Sequence, residues 1–298
     1  MIPTQFAQNI ISIYGAQGKT WLENLPDLLE YCAQKWQLQN LRVMPNLSFH
    51  YVASAFSLKI NKPIALKIRI DHRNFMAEKN TLAYYDGSGC AALYDWDETV
   101  HALLLEQCIP GIPLASFDGL EDGSIFIAAH IIRLLQSKKI TAYNSQHFPR
   151  LSDWLNIFKS PIINKLPTHH HQRLISCLQL NEVQDAITDF LLHGDLHQGN
   201  ILLNGDKWVA IDPKGVIGNP AFEVASFICN PISEILTQSN PREIVANRIH
   251  LFSQALAIDK QEIKVWSYIR ALLGACWALE DNTDHHPWLK IAEIIESI

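Results

Sequence analysis

The run from Leu191 to Gly215, LLHGDLHQGNILLNGDKWVAIDPKG, constrains this chain more than any other stretch. Two short apolar segments, Ile201–Leu203 and Trp208–Ile211, flank Asn204-Gly205. Asn-Gly between apolar runs signals a β-hairpin, because both turn positions accept positive φ. A hairpin returns the chain to its starting point. Asp195 and Asn200 precede the first strand and Asp212 follows the second, so all three are expected at one open end. Two carboxylates and an amide gathered there suit a hard, oxygen-ligated cation such as Mg²⁺. A phosphoryl transferase needs such a cation, and a carboxylate to accept a hydroxyl proton.

Other readings compete for the same residues. His193, Asp195 and His197 alternate, and on an extended strand they would share a face and could bind zinc, as in a hydrolase. Gly194 and Gln198-Gly199 favour a turn instead. His169–His171 reads as a solvated helix start, and His285-His286 as part of a polar turn. Near the N-terminus, Gly15-Ala-Gln-Gly-Lys-Thr20 has the look of a phosphate-binding loop, but the position where that loop needs its first glycine holds Ile13. It reads as a turn between amphipathic helices at 5–14 and 20–36.

Composition narrows the function classes. The net charge of −6 argues against a nucleic-acid binder. The six cysteines are scattered without a C-x-x-C pair, as expected for reduced thiols in a cytoplasmic protein. No apolar run reaches the roughly 18 residues of a membrane span, and the first residues lack the basic-then-apolar order of a signal peptide. Along the chain, strands are expected within 48–60, at 64–70, 91–95 and 101–106, with a helix at 74–85. Helices dominate after Pro110. The pattern is α+β, a small sheet-rich lobe with an N-terminal helical extension (1–107) before a larger helical lobe (108–298), the hinge falling in Glu106–Gly111.

HGDLHQGN together with IDPKG resembles the catalytic and metal-binding loops of the aminoglycoside phosphotransferase group, within the protein-kinase-like fold. WLENLPDLLEYCAQKW, EKNTLAYYDGSG, AIDPKGVIGNPAFEVASF and WALEDN extend the resemblance, in order, to the branch that contains streptomycin 6-kinases and hydroxyurea kinases. The resemblance implies a two-lobed kinase that uses ATP and Mg²⁺ to phosphorylate a small-molecule hydroxyl, most naturally on a cationic, streptomycin-like aminoglycoside. Hydroxyurea or another metabolite is the alternative acceptor.

By the same resemblance, Asp195 is the catalytic aspartate, Asn200 and Asp212 hold the metal, and His193 and Glu223 brace the loop. Ala65 and Lys67, two apart on one strand face, would roof the adenine and grip the phosphates. Glu78 lies on the apolar stripe of its helix, where a carboxylate wants a cation, and Lys67 is the expected partner. The backbone of Glu106–Cys108 would meet the adenine edge. The loop over the phosphates is expected near Met44–Ser54, which has no glycine, so Ser48 would serve there. Glu280 and Asp281, ending the stripe of Trp266, Ile269, Leu273, Cys276 and Trp277, would line a pocket for a cationic substrate. An intact set of these residues speaks against a non-catalytic nucleotide-binding module.

Overall fold

The computed structural model describes residues 2–45, 47–119, 121–137, 139–141, 145–180 and 190–298. Asn46, in the expected phosphate-covering loop, lies outside them. The chain divides into two compact units, Met1–Gly111 and Ile112–Ile298.

The first unit opens on α1 (Thr4–Trp36), which is sharply broken at Gly15 (φ 55°, ψ −128°). The expected turn between two helices is thus a single residue, in a conformation that favours glycine. Three residues on, Gly18 lets the two halves close together: a Cβ there would lie 2.7 Å from the carbonyl oxygen of Ile10. The residues that imitate a phosphate loop are therefore a one-residue break at Gly15 followed by helix, and they serve the packing of α1 on itself.

A five-stranded antiparallel sheet follows, built from β1 (Leu38–Val43), β2 (Tyr51–Ser57), β3 (Lys62–Ile68), β4 (Leu93–Asp97) and β5 (Ala102–Glu106) in the order β1-β2-β3-β5-β4. β1 was not expected from the sequence. On β3, Ile64, Leu66 and Ile68 join the core with Ile10, Leu25, Cys32 and Trp36 of α1. Fully burying such a side chain contributes about 1.5–3 kcal/mol. The alternation of a strand turns Ala65 and Lys67 to the other face. Between β3 and β4 runs α2 (His72–Tyr85), capped by Asp71, whose carboxylate accepts the Asn74 amide at 2.7 Å, and ended by Asp86 in the left-handed region (φ 49°). The cap sets the helix start two residues before the expected 74.

The boundary between the units falls in a short strand, β6 (Pro110–Pro113). The helices of the second unit, among the described residues, are α3 (Glu121–Leu135), α4 (Leu151–Leu155), α5 (Thr168–Leu178), α6 (Pro220–Cys229), α7 (Ile232–Thr237), α8 (Pro241–Leu256), α9 (Lys260–Glu280) and α10 (His286–Ser297). α6 and α9 are its centre: every residue of α6 from Ala221 to Cys229 is buried, and α9 is buried nearly all round from Ile263 to Cys276. Two strand pairs carry the loops of interest. β7 (Phe190–Leu192) pairs antiparallel with β10 (Val216–Gly218), and β8 (Ile201–Asn204) forms a hairpin with β9 (Lys207–Ala210). The hairpin turn differs by one residue from expectation. Asn204 pairs with Lys207, so Gly205 and Asp206 make the turn, and of Asn204, Gly205 and Asp206 only Gly205 has positive φ (62°). Glycine at the first central position is the type II′ solution, which fixes the register through Gly205 and not through Asn204.

Candidate active site

The loop between β7 and β8 is built around two buried side chains. Glu223, in the first turn of α6, points both carboxylate oxygens at this loop: Oε2 accepts the His193 amide at 2.5 Å and Oε1 accepts the Gly194 amide at 3.2 Å. Burial pushes its carboxyl up to about 8, against the pull of those two donors. Gly194 takes φ 82°, and a Cβ there would lie 2.8 Å from the Trp154 ring, so only glycine fits this bend. His193 is fully buried and spans the loop. Its Nδ1 accepts the Asp195 amide at 3.3 Å and its Nε2 donates to the Ile211 carbonyl at 2.8 Å, the end of the hairpin. Burial pulls its pKa down to about 4, so the ring is neutral at pH 7. Both ring nitrogens are committed to the backbone. This overturns the zinc-hydrolase reading of His193, Asp195 and His197, because the first of the three has no lone pair to offer; His197 uses Nδ1 to accept the Gly199 amide at 3.0 Å.

The same bonds gather the three expected polar residues. Asn200 donates its side-chain amide to the Asp195 carbonyl at 2.9 Å, and its own carbonyl accepts the Ile211 amide at 2.9 Å. Asp212 follows directly, in the left-handed region (φ 58°). The amides of Lys214 and Gly215 return to the His193 carbonyl at 2.8 and 3.2 Å. Asp195, Asn200 and Asp212 are thus fixed by one backbone network at the open end of the hairpin. With its nitrogen used on Asp195, Asn200 has its amide oxygen left to offer, and with the Asp212 carboxylate the chemistry is that of hard oxygen donors. That set fits Mg²⁺, which binds through one or two carboxylates and takes its other ligands from water and phosphate.

Two cations of this unit escaped sequence reasoning. Lys214 places its ammonium 3.2 Å from Asp212 Oδ2. Arg270, in the middle of α9, sets Nη2 3.5 Å from Asp195 Oδ1. Its guanidinium is buried between the indoles of Trp277 and Trp288, 5.3 and 5.1 Å from their centroids, and Nε bonds the Ser226 hydroxyl at 3.2 Å. Gly274 makes the sandwich possible, since a Cβ there would meet the Trp288 ring at 2.6 Å. A charged residue inside the apolar run YIRALLGACWAL was the available signal.

In the first unit, Lys67 Nζ lies 2.7 Å from Glu78 Oε1, both groups nearly inaccessible to solvent. Arg69, the residue that follows β3, takes the other carboxylate oxygen of Glu78. The strand period could have revealed Arg69, because it alternates with Lys67. Ala65 lies opposite Leu105 on β5, on the Lys67 face. Glu106 spends its carboxylate on the Ala92 amide at 3.1 Å, and Cys108 is buried with its thiol pushed up to about 12. Ser48 is exposed, and its carbonyl accepts the Asn9 side chain at 3.2 Å. Glu280 and Asp281 end α9 in solvent. They lie some ten residues beyond Arg270, about 15 Å along a helix axis.

This architecture, an antiparallel sheet unit followed by a mostly helical unit with a His-Gly-Asp loop beside the β8–β9 hairpin, is the protein-kinase-like fold of small-molecule kinases. It superposes on the aminoglycoside phosphotransferase APH(4)-Ia with a TM-score of 0.64, covering 92% of this chain and 97% of that one at 11% identity. An ethanolamine kinase of Plasmodium vivax superposes with a TM-score of 0.63, covering 91% and 87% at 12% identity. Residues 53–282 match the aminoglycoside/hydroxyurea antibiotic resistance kinase family, and the chain belongs to that family. Among its relatives, the streptomycin 6-kinase of Streptomyces glaucescens is 25% identical over 95% of this chain and 92% of its own length. The hydroxyurea phosphotransferase of Kitasatospora aureofaciens is 25% identical over 98% and 84%.

Proposed function

We propose that the chain transfers the γ-phosphoryl group of ATP to a hydroxyl of a streptomycin-like aminoglycoside. The observation that carries this reading is the convergence of Asp195, Asn200 and Asp212 at one end of the β8–β9 hairpin, locked by Glu223 and a neutral His193. Near-full-length similarity to a streptomycin 6-kinase supports the acceptor class. No helix among the described residues is long and apolar enough to cross a membrane.

Each residue has a definite task. Asp195 accepts a hydrogen bond from the acceptor hydroxyl, orients it for in-line attack and takes its proton as the new bond forms. Arg270 holds the Asp195 carboxylate in place. Lys67, fixed by Glu78, grips the nucleotide phosphates, with Ala65 leaving room for the adenine beside it and Ser48 and the backbone of Glu106 and Cys108 contributing further nucleotide contacts. Asn200 and Asp212 are the protein ligands for Mg²⁺, which when bound neutralises charge on the phosphate oxygens. Residues 1–107 form the nucleotide-binding lobe and 108–298 the catalytic and substrate lobe; Glu280 and Asp281 offer carboxylates to a cationic substrate. Rate enhancement comes from placement and charge neutralisation, the usual sources in phosphoryl transfer.

A second acceptor is favoured by one observation. The guanidinium of Arg270 beside Asp195 suits a neutral acceptor such as hydroxyurea, and a hydroxyurea phosphotransferase is among the relatives. ADP release measured with ATP and Mg²⁺, with streptomycin, hydroxyurea or neither, separates the two. Streptomycin-stimulated release that Asp195→Ala reduces by at least about a thousandfold is the expected result. Full turnover in that folded variant refutes the assignment of Asp195.

A further inference from the structure

His170 lies at the start of α5, completely buried, although the HHH run reads in sequence as a solvated helix start. Its Nδ1 is 2.9 Å from the Tyr268 hydroxyl. Its Nε2 is buried and, among the described residues, has no hydrogen-bond partner. A buried nitrogen left without a partner destabilises the fold unless something meets it. The groups facing it are those of a metal site. Glu293 of α10 brings Oε1 to 3.9 Å from Nε2. The His169 ring stacks beside it, centroids 4.1 Å apart. One ligand atom from each of His169, His170 and Glu293 lies within 4.8 Å of the others. In a tetrahedral zinc site with bonds of about 2.0–2.1 Å, ligand atoms sit roughly 3.3–3.4 Å apart. His169 and Glu293 are exposed, so rotation of their side chains closes the remaining gap without moving the core.

We propose that His169, His170 and Glu293 bind a divalent zinc ion that clamps α5 to α10. Two imidazoles and a carboxylate are a borderline donor set that selects zinc over Mg²⁺ or Ca²⁺. The contact from Tyr268 supplies the outer-shell hydrogen bond that orients a ligating histidine and leaves Nε2 as the metal-facing nitrogen. Water completes the fourth position. Arg173 and Glu296, the other charged pair across these helices, neutralise each other at 3.6 Å. A comparable group, Asp284, His285 and His286, does not meet the same standard: His286 and Asp284 are mostly exposed and already paired at 2.8 Å. The site is separate from the Asn200–Asp212 donor set. It has a structural consequence for it, because α10 also carries Trp288, one wall of the Arg270 sandwich.

The test uses the full chain stripped with EDTA, free of nucleotide and Mg²⁺, titrated with zinc chloride by calorimetry and followed by thermal melting. One saturable site with micromolar or tighter affinity is expected. It weakens at least tenfold in H169A and in E293Q, both exposed positions that leave the buried His170 in place. It persists in D212N, which separates it from the phosphoryl-transfer site, and in D284N/H286Q, which separates it from the exposed cluster. Zinc should raise the melting temperature of the wild type and not that of E293Q. X-ray absorption at the zinc edge should show imidazole and oxygen ligands. Equal zinc affinity in wild type, H169A and E293Q, or saturation only at millimolar zinc, overturns the proposal.

Discussion

Replacing Arg270 by methionine isolates its effect on Asp195. Methionine fills much of the same apolar channel between Trp277 and Trp288 but removes the charge 3.5 Å from Asp195 Oδ1. At that separation the gross attraction is about 5 kcal/mol for an effective dielectric near 20. Burying a guanidinium costs several kcal/mol, so the two offset and global stability should change by no more than about 1–2 kcal/mol. Catalysis should be hit harder. Asp195 is about a quarter exposed, and without Arg270 only its backbone is anchored, through His193 and Asn200. Losing roughly 1 Å of placement in a reacting group costs about a hundredfold in rate, near 2.7 kcal/mol. Steady-state kinetics should show kcat down by about that factor, with KM for ATP within about twofold. Arg270→Lys keeps the charge without the planar fork, and should lose about tenfold. A folded R270M chain with wild-type kcat refutes the positioning role. If R270M does not fold, an R270K chain with wild-type kcat does so.

Glu78→Gln leaves a neutral amide facing Lys67 and Arg69, so KM for ATP should rise about tenfold, roughly 1.4 kcal/mol; an unchanged KM sinks the phosphate-gripping role. His193 contributes an acid-sensitive term. Its folded pKa near 4 lies below the unfolded value of about 6.5, so the stability it supplies is present above pH 6.5 and is lost as pH falls toward 4. The loss integrates to about 3 kcal/mol at one unit per 1.36 kcal/mol. Between pH 7 and pH 5 this loss opposes the gain from Glu223, whose raised pKa favours the folded state as pH falls, so the urea midpoint should rise less in the wild type than in His193→Gln; equal rises refute it. Gly274→Ala should destabilise by about 1–3 kcal/mol despite the better helix propensity of alanine, since its Cβ meets Trp288 at 2.6 Å. A stabilised variant by chemical denaturation contradicts that packing.

The chemistry of the second unit was legible because it is local. The hairpin sits within a dozen residues of Asp195, Asn200 and Asp212, and turn chemistry brings the chain back on itself. Even there, the register moved by one residue, because Gly205 alone could satisfy the turn while Asn204 stayed in the ladder. Strand period and a misplaced carboxylate were enough to pair Lys67 with Glu78 on paper, and the structure places them 2.7 Å apart. β1 went unread because its exposed and half-buried residues carry no clear alternation.

The amino-acid sequence by itself determined the sheet-then-helix order of the two units, the membership of the kinase family and the three polar residues at the hairpin mouth. These follow from contacts between near neighbours along the chain, where backbone geometry limits the choices. Tertiary structure decided the rest. It turned both nitrogens of His193 inward, brought Arg270 to Asp195 from a helix far along the sequence, and buried His170 beside Glu293. Such pairings depend on which faces of distant helices meet. That is settled by the packing of the whole core, and periodicity within any one helix does not report it.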